Sequence, residues 1–581
     1  MPKTTLSPRF LLAGVLLLAL ALRAWGLTWG LPSALHYFSY HPDESVVLEH
    51  ASLGMNVFAG RLLPHFYNYG SLQLYLVCFA NTLAALVGAV DIVPKNYPAI
   101  GDWWPQWARM YLIGRSLTVG MGVGTVWAIY ALGLRLWGRR AGLLAALTLA
   151  IMPLHAQHSH FLTVDVPATF WGVLSLLWAV RLATGDPKPL RAALWAGVFA
   201  GLATATKYNM ALTVLPLAVA CLVPPAPNSG GVGGQKPFLS GSPRIGGRGA
   251  ILPALAAFLL AFLVACPGAL LESGTFAADL RFEAVHVQNV DDPTFRDTGN
   301  GFVYHIVNNL SAGLGWPLLL LALVSVIYAL LRRERGDGLL AAFALPYYVL
   351  ISLAAVRYAR YVIPLLPILA LWVGRMLADW LGAPAWKRWT AQGTGAVVGL
   401  LTFVWCFYLV DFMAEPDMRD WAMSKLNLPQ QRYIGLKAHT PTDSFEYGTV
   451  AFPTMPWFGT VPLSPYFAYY QRGGWRRLTP PDTLPRIVYD GKDWDADLLA
   501  RKPDVVVLSE YDYDDALRLK DPDALRYVSI LERNYQRRFV LVDGNPALST
   551  QYHLVEGMPT RGWPHDMLYT CPIISIYQRK P

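Results

Sequence analysis

Charged residues are scarce in this sequence. Only 15% of its 581 residues are Asp, Glu, Lys or Arg, whereas 54% are hydrophobic. About a quarter of the residues of a soluble domain are charged, so the composition argues against a wholly soluble chain. Cysteine is scarce too. The cysteines have neither the spacing of a zinc site nor that of a disulfide framework, and they are Cys78, Cys221, Cys266, Cys406 and Cys571.

Motifs for nucleotide phosphates and for secretion are also missing. The glycine-rich stretch 229–249 contains no GxxxxGK[ST] frame, so it predicts a flexible cytoplasmic linker rather than a P-loop. The first apolar run, FLLAGVLLLALALRAWGLTWGLP, exceeds the core of a signal peptide and has no small-x-small cleavage site. We therefore expect an uncleaved membrane helix with a cytoplasmic N-terminus. Its Arg23 should reach to the interface or to a lipid phosphate.

Long apolar runs separated by short basic loops fill most of the sequence. This pattern predicts a polytopic α-helical membrane protein with about eleven spans of roughly 20 residues each. Because Lys and Arg are enriched in cytoplasmic loops, the basic clusters fix the orientation of the runs. The later runs lie at 142–160, 166–182, 194–207, 210–224, 251–271, 314–331, 339–355, 361–378 and 394–410. The same charge rule makes 110–134 the second true span and lays 71–90 along or into the outer face.

From about residue 412 the composition becomes polar and mixed. The segments DVVVLSEY (504–511) and RRFVLVDG (537–544) predict short buried strands, and the stretch between them predicts a helix. The sequence therefore divides into a transmembrane module, 1–411, and an extracytoplasmic soluble α/β domain, 412–581, of ordinary domain size.

Ionisable residues cluster where the apolar runs end on the outer side. Charges at membrane depth are costly and usually face a cavity or a partner. The segments are YFSYHPDESVVLEHAS (37–52) with Asp43 and Glu44, HAQHSHFLTVDVPATF (155–170) with His155, His158, His160 and Asp165, ATATKYN (203–209) with Lys207, and VRYARYVIPLLP (356–367) with Arg357 and Arg360.

Cations and carboxylates on one side fit a site for a phosphorylated lipid at the outer leaflet. Arg and Lys bind phosphate, and a carboxylate can accept the proton of an attacking hydroxyl. Each group also has a structural interpretation. Asp43 and Glu44 would cap a helix, Asp165 would start the next one, and Lys207 would extend to the interface. The histidines would ligate a metal ion or solvate a helix end, and one of the two arginines would be an interface anchor.

The order of these motifs resembles one family. HPDE (41–44), YNYGSLQLYL (67–76), the stretch 114–170, GLATATKYN (201–209) and RYARYVIPLLP (357–367) follow one another in the chain. This succession is similar to that of the polyprenyl-phosphate-sugar-dependent glycosyltransferases of the GT-C superfamily. The group includes protein O-mannosyltransferases and lipid A aminoarabinose transferase. The resemblance covers about residues 1–380 and leaves out the C-terminal domain.

The resemblance implies a reaction and roles for residues. A sugar would pass from a polyprenyl phosphate to an acceptor hydroxyl on the extracytoplasmic face, with inversion and with Asp43 as the base. Glu44 and Asp165 would be the other acidic residues of the catalytic group. The donor phosphate would contact Lys207, Arg357, Arg360 and Tyr361, and the substrates would contact His41, Tyr67, Tyr69 and His158.

The implied partners are a polyprenyl-phosphate-linked sugar, a glycan, lipid or protein acceptor, and membrane lipid, with no nucleic acid. No organic cofactor is implied, and a divalent metal ion is left open. A transporter or flippase of lipid-linked sugars would share the spans and the outer cations, but internal repeats would favour it and the sequence shows none. A structural membrane protein that displays 412–581 would not need Asp43, Asp165, Lys207 and Arg357 on one side.

Overall fold

Apolar runs, and the prolines and glycines between them, set where the helices begin and end. A computed structural model describes residues 8–33, 36, 38–92, 100–222, 247–425, 449–451, 453, 458–461, 486–488, 502–542 and 552–581. Up to residue 425 the described residues are mostly helical. The α-helices are α1 (Pro8–Ala24), α2 (Pro42–Glu49), α3 (Leu72–Leu86), α4 (Ile100–Trp137), α5 (Arg139–Ala150), α6 (Pro153–His158), α7 (Asp165–Ala183), α8 (Pro189–Thr206), α9 (Val214–Leu222), α10 (Ile251–Ala265), α11 (Gly268–Leu271), α12 (Ser273–His286), α13 (Gly301–Tyr304), α14 (Ser311–Leu314), α15 (Trp316–Arg332), α16 (Arg335–Leu353), α17 (Leu366–Leu381), α18 (Ala385–Asp411) and α19 (Met418–Lys425). Most of the predicted linker, 229–246, lies outside the described residues.

Tighter or wider helical turns extend several of these helices. The 3-10 segments are Val57–Ala59, Tyr208–Thr213, Gly247–Ala250, Ala359–Leu365 and His565–Thr570, and the π-helical segments are His50–Gly54 and His305–Leu310. Within the described ranges, five helical stretches are long and apolar enough to cross a membrane. They are Pro105–Trp137, Asp165–Ala183, Arg335–Leu353, Ala359–Leu381 and Ala385–Asp411. Shorter apolar helices are Leu72–Leu86, Tyr208–Leu222, Ile251–Ala265 and Trp316–Arg332.

These helices support a membrane location, while the count of about eleven spans stays a prediction. The predicted second span, 110–134, lies within α4. The segment 71–90 contains α3, whose 15 residues are fewer than the roughly 20 of a complete span. Its position along or into the outer face also stays a prediction.

One predicted span is divided, and Arg23 explains how its first half ends. The apolar run 142–160 forms α5, which ends at Ala150, and α6, which begins at Pro153. Proline suits the first turn of a new helix because it lacks the N–H that a continuing helix needs. Arg23 is fully buried, and its guanidinium donates to the carbonyl oxygens of Leu149 and Ala150 at 3.2 and 3.0 Å. It therefore caps α5, and the expected contact with the interface or a lipid phosphate is wrong.

Glycines let neighbouring segments of the helical part approach closely. At Gly197 in α8, a Cβ would collide with the backbone of Ala254 in α10. Close backbone contact through small residues is typical of membrane helices. At Gly70, a Cβ would collide with the backbone of Ala205, near the C-terminal end of α8. This second contact brings the segment that contains Gly70 close to Lys207, which directly follows α8.

A small sheet forms in the C-terminal part. Its order is β2–β1–β3–β7–β4, and a separate hairpin joins β5 and β6. The strands are β1 (Thr449–Ala451), β2 (Arg486–Val488), β3 (Val505–Ser509), β4 (Tyr535–Leu541), β5 (His553–Val555), β6 (Met558–Thr560) and β7 (Ile574–Arg579). Strand β1 pairs in parallel with β2 and β3, whereas β7 lies antiparallel between β3 and β4.

The two strands predicted in this part are present, with two corrections. Strand β3 is buried along its length, but β4 ends the described sheet and exposes its middle residues. The single predicted helix between them is two helices, α20 (Glu510–Arg518) and α21 (Pro522–Asn534). The chain breaks between them because the side chain of Asp521 accepts hydrogen bonds from two backbone N–H groups and Pro522 takes the first turn of α21.

The segment His565–Thr570 enters the helical part of the molecule. Met567 and Cys571 are buried in the apolar core that α5, α7 and α17 share. Gln157 in α6 donates to the carbonyl oxygen of Met567 at 3.3 Å and to the hydroxyl of Thr570 at 3.0 Å. Residues near the C-terminus therefore contribute to the core of the predicted transmembrane module, beyond the boundary that composition alone suggested.

Candidate active site

The helix that contains the HPDE motif points its two acidic residues in different directions. Pro42 stands in the first turn of α2, followed directly by Asp43 and Glu44. Successive residues of an α-helix point about 100° apart. Asp43 lines a cavity and is 21% exposed, whereas Glu44 is fully buried. The structure therefore separates the two carboxylates that the sequence grouped as catalytic.

Glu44 forms a buried ion pair with Arg115 in α4. Its carboxylate oxygens accept hydrogen bonds from Arg115 Nε and Nη2 at 2.8 and 2.7 Å, and the backbone N–H of Leu162 donates to it at 2.6 Å. Burial acts to raise the pKa of Glu44, but the charge and hydrogen bonds of Arg115 outweigh it and hold the pKa below its ordinary value. An ionised Glu44 thus ties α2 to α4, away from the cavity.

The second predicted carboxylate, Asp165, pairs with Lys207. Asp165 begins α7, and Lys207 follows α8 with an extended backbone. Lys207 Nζ lies 2.5 Å from Asp165 Oδ1 and 4.9 Å from the ring centroid of Tyr361. Three predicted site residues from separate segments therefore meet at this point.

Arg360 lies between two carboxylates. Its Nη2 is 3.3 Å from Asp43 Oδ2, and its Nη1 is 3.7 Å from Asp566 Oδ2. The guanidinium stacks on Tyr358, with 4.0 Å between its central carbon and the ring centroid. Nη1 is buried and forms no hydrogen bond within the part of the chain that the structure describes. A guanidinium that lines a cavity is suited to bind an anion there.

One cavity of about 300 Å³ gathers most of the predicted site residues. It is lined by Asp43, Tyr69, Asp165, Lys207, Arg360 and Tyr361. The carboxylate of Asp43, and after it burial, raises the pKa of Tyr69 well above its ordinary value. The Tyr69 hydroxyl therefore stays protonated and can donate a hydrogen bond. The rest of the lining is largely apolar and includes Leu280, Ala284, Val287, Leu350 and Ile351.

Besides Glu44 and the histidines, two more predicted site residues, Arg357 and Tyr67, lie outside this cavity. Arg357 donates to Thr298 Oγ1 at 2.9 Å and to the carbonyl oxygen of Gly299 at 2.8 Å. Tyr67 is buried, and its hydroxyl donates to the carboxylate of Glu272. Both side chains tie neighbouring segments together, so their present contacts are structural.

The predicted histidines are buried and do not line the cavity. The rings of His41 and His158 lie 4.3 and 5.6 Å from that of Phe161, and neither has a hydrogen-bond partner among the described residues. Burial lowers the pKa of His41 to about 3, so its ring is neutral. His155 instead contacts Arg23 Nη2 through Nδ1 at 3.0 Å. Within the described ranges, no group of three or more His, Cys, Asp or Glu side chains is arranged to hold a metal ion.

Sequence reasoning missed two residues that shape the site. The carboxylate of Asp566 accepts hydrogen bonds from the backbone N–H groups of Ala359 and Arg360, each at 2.9 Å. The hydroxyl of Tyr208 donates to the carbonyl oxygen of Tyr69 at 3.1 Å. The motif TKYN could have drawn attention to Tyr208, whereas no local pattern marks Asp566, which lies 206 positions after Arg360.

A family match covers part of this site. Residues 112–239, about a fifth of the chain, match the family described as dolichyl-phosphate-mannose-protein mannosyltransferase. This range contains Asp165 and Lys207. The match confirms the predicted resemblance to GT-C glycosyltransferases and the prediction that the protein is an enzyme of the glycosyltransferase class. No curated protein sequence is significantly similar to the chain.

Several solved structures are similar to this chain at low identity. The oligosaccharyltransferase AglB from Archaeoglobus fulgidus, in complex with an inhibitory peptide and a dolichol-phosphate, is 13% identical with a TM-score of 0.45, over 93% of this chain and 73% of that one. ArnT from Cupriavidus metallidurans bound to undecaprenyl phosphate is 13% identical with a TM-score of 0.45. The match covers 98% of this chain and 97% of that one. The Pmt1–Pmt2 complex of S. cerevisiae bound to the sugar donor is 16% identical with a TM-score of 0.30. The match covers 51% of this chain and 37% of that one. Similarity at this level does not identify a substrate.

Proposed function

We propose that this protein is an integral-membrane glycosyltransferase that moves a sugar from a polyprenyl phosphate to an acceptor hydroxyl on the extracytoplasmic face. The observation that carries the proposal is the cavity in which Asp43, Lys207 and Arg360 meet beside an apolar wall. A proton-accepting carboxylate, cations for phosphate and an apolar surface for a lipid are the groups that this reaction needs. The family match supports the donor class, because its description names a dolichyl-phosphate-linked mannose.

Lys207 and Arg360 are the proposed ligands of the donor phosphate. Each cation is paired with a carboxylate, Lys207 with Asp165 and Arg360 with Asp43. An incoming phosphate takes the place of Asp43 at Arg360 Nη2 and shares Lys207 with Asp165. Charge-assisted hydrogen bonds from Arg and Lys are strong contacts for phosphate oxygens. The exchange also frees the carboxylate of Asp43 when the donor binds.

The apolar wall of the cavity is the proposed path of the polyprenyl chain. Leu280 in α12 and Leu350 in α16 line the cavity and are also exposed at the molecular surface. Helix α12 has no buried residue, and large apolar side chains such as Phe282 and Val285 are exposed on it. An exposed apolar surface of this kind is stable in contact with lipid. In this proposal the polyprenyl chain therefore leaves the cavity between α12 and α16.

The proposed chemistry is a single displacement at the anomeric carbon. Asp43 accepts the proton of the acceptor hydroxyl as its oxygen attacks the sugar. The bond to the donor phosphate oxygen breaks, and polyprenyl phosphate leaves as an anion that Lys207 and Arg360 stabilise. The leaving group needs no acid, so one working carboxylate suffices, unlike the two of a glycosidase. One displacement inverts the anomeric configuration. The proposed orientation, which rests on the basic loops of the sequence, has the N-terminus in the cytoplasm and the C-terminal domain outside.

The reaction itself tests this proposal against transport. Purified protein in proteoliposomes receives a labelled sugar on polyprenyl phosphate together with a cell-envelope extract as acceptor. We expect label on an acceptor other than the lipid phosphate, with free polyprenyl phosphate released. If intact donor crosses the bilayer and no polyprenyl phosphate is released, the protein is a flippase and the proposed transfer reaction is wrong.

Lys207→Met should weaken the binding of polyprenyl phosphate by roughly tenfold to hundredfold. A hydrogen bond to a charged group contributes about 1.5–3 kcal/mol, and methionine keeps much of the length of the side chain without its charge. The affinity of the detergent-purified protein for polyprenyl phosphate, followed by calorimetric titration, measures the effect.

Two further variants sharpen this measurement. Lys188→Met removes an exposed lysine at the start of α8, outside the cavity, and should bind polyprenyl phosphate as tightly as the wild type does. Lys207→Met also leaves Asp165 unpaired, so the double variant Asp165→Asn/Lys207→Met is compared with it. Loss of a phosphate-binding cation predicts weak binding in both. Recovery of wild-type affinity in the double variant would return Lys207 to a structural role.

A further inference from the structure

Asp566 contacts Arg360 in two ways. Each of its carboxylate oxygens accepts a hydrogen bond from a backbone N–H, one from Ala359 and one from Arg360. These N–H groups begin the helical segment Ala359–Leu365, where backbone donors have no partner within the helix. Asp566 Oδ2 also lies 3.7 Å from Arg360 Nη1, close enough to attract the guanidinium but too far for a hydrogen bond. One buried carboxylate therefore holds both the backbone and the charge of Arg360.

The segment around Asp566 is fixed from both parts of the molecule. Tyr511 in α20 donates to the carbonyl oxygen of His565 at 2.8 Å, and Arg419 in α19 donates to the carbonyl oxygen of Tyr569 at 2.7 Å. From the other side, Gln157 in α6 donates to the carbonyl oxygen of Met567. A carboxylate held in this way has little freedom to follow a ligand.

We propose that Asp566 is a positioning residue that fixes Arg360 for the donor phosphate, so that the C-terminal domain completes the donor site. The inference rests on the function proposed above. When the phosphate replaces Asp43 at Nη2, Asp566 keeps the backbone and the guanidinium of Arg360 in place. Nη1, which is buried beside Asp566, then stays next to that carboxylate while Nη2 donates to the phosphate. Preorganised donors bind an anion more tightly than donors that must first be ordered.

A purely structural role for Asp566 makes a different prediction. As a simple helix cap, Asp566 would stabilise the fold whatever side chain stands at position 360. As a positioning residue it acts through the guanidinium, so its effect on donor binding depends on Arg360. Comparing single and double variants separates these two roles.

The test measures polyprenyl phosphate binding to four full-length proteins: wild type, Asp566→Asn, Arg360→Gln and the double variant. Asn keeps the size of the side chain but loses its charge and turns an amide N–H₂ toward backbone donors. We expect Asp566→Asn to weaken binding about tenfold in the presence of Arg360 and to cause no further loss in the Arg360→Gln background. Equal loss in both backgrounds, or no loss in either, would overturn the inference.

A matched control and a conservative variant complete the design. Asp521 also accepts two backbone N–H bonds at a helix start in the same domain, from Asp523 and Ala524, and does not line the cavity. Asp521→Asn should therefore bind polyprenyl phosphate as tightly as the wild type does.

If Asp566→Asn fails to fold, Asp566→Glu is measured in its place. It keeps the charge and should lose less affinity than the Asn variant, again only when Arg360 is present; a loss independent of Arg360 would overturn the inference. A folded wild type that binds no polyprenyl phosphate would overturn the proposed donor, and this inference with it.

Discussion

Asp43→Asn should lower the rate of sugar transfer by roughly a hundredfold to ten-thousandfold, because it removes the proposed general base. Asparagine keeps the shape of the side chain and can still form hydrogen bonds, but it cannot accept the proton of the acceptor hydroxyl. The rate is measured as release of polyprenyl phosphate at saturating donor and acceptor. Donor affinity should not fall, since the phosphate no longer competes with a carboxylate for Arg360 Nη2.

The cavity itself offers a matched control for this variant. Glu283 is another carboxylate in its lining and accepts a hydrogen bond from Asn68 at 3.0 Å. Glu283→Gln makes the same chemical change in the same cavity and should leave the rate close to that of the wild type. If Asp43→Asn transfers sugar at the wild-type rate, Asp43 is only the ion-pair partner of Arg360 and the mechanism fails. If Glu283→Gln loses transfer instead, the base has been assigned to the wrong carboxylate.

The charged side of the cavity could be predicted because charge at membrane depth is rare. Asp43, Asp165, Lys207 and Arg360 each interrupt or end an apolar run, and burying a charge without a partner is too costly to occur without a reason. Their segments are far apart in sequence, but the alternation of basic loops predicts that they lie on one side of the membrane. The structure adds the pairing, Asp165 with Lys207 and Asp43 with Arg360.

The choice between neighbouring residues could not be predicted in the same way. Asp43 and Glu44 have the same chemistry and adjacent positions, and only the rotation of α2 decides which one meets the cavity. That rotation depends on Arg115, which lies within the apolar stretch of α4 and gives no sign of its partner. Arg357 and Arg360 differ for a related reason. The helical segment begins at Ala359, so Arg357 precedes it and turns to Thr298.

Contacts between distant parts of the chain were the least predictable feature. Asp566 belongs to a stretch whose composition predicts a separate soluble domain, yet its carboxylate binds the backbone at Ala359 and Arg360. Local periodicity describes which elements form, but it contains no information about which element of one part docks on the other. The same limit explains why the apolar residues at the end of β4 predict a buried strand although β4 lies at an edge.

The other large effect that we expect is a loss of stability when Arg115 is replaced. Arg115→Met should lower the free energy of unfolding by about 3–5 kcal/mol, the usual effect of removing one partner from a buried ion pair. The change leaves the carboxylate of Glu44 buried without a counter-charge, and it removes the hydrogen bonds to the carbonyl oxygens of Leu27 and Trp29, at 2.7 and 2.6 Å. Chemical unfolding of the purified protein in mixed micelles measures the difference from the wild type.

A matched exposed pair and a double variant decide whether burial of the charge is the cause. Arg579 pairs with Asp504 at 3.0 Å, but these side chains are 42% and 34% exposed, so Arg579→Met should lower stability by no more than about 1 kcal/mol. Adding Glu44→Gln to Arg115→Met removes the unpaired charge and should restore part of the lost stability. Because α2 also contains Asp43, Arg115→Met should lower the rate of sugar transfer as well. Adding Glu44→Gln should restore part of that rate together with the stability. If Arg115→Met is no more destabilising than Arg579→Met, the ion pair does not hold α2, and the structural role assigned to Glu44 is wrong.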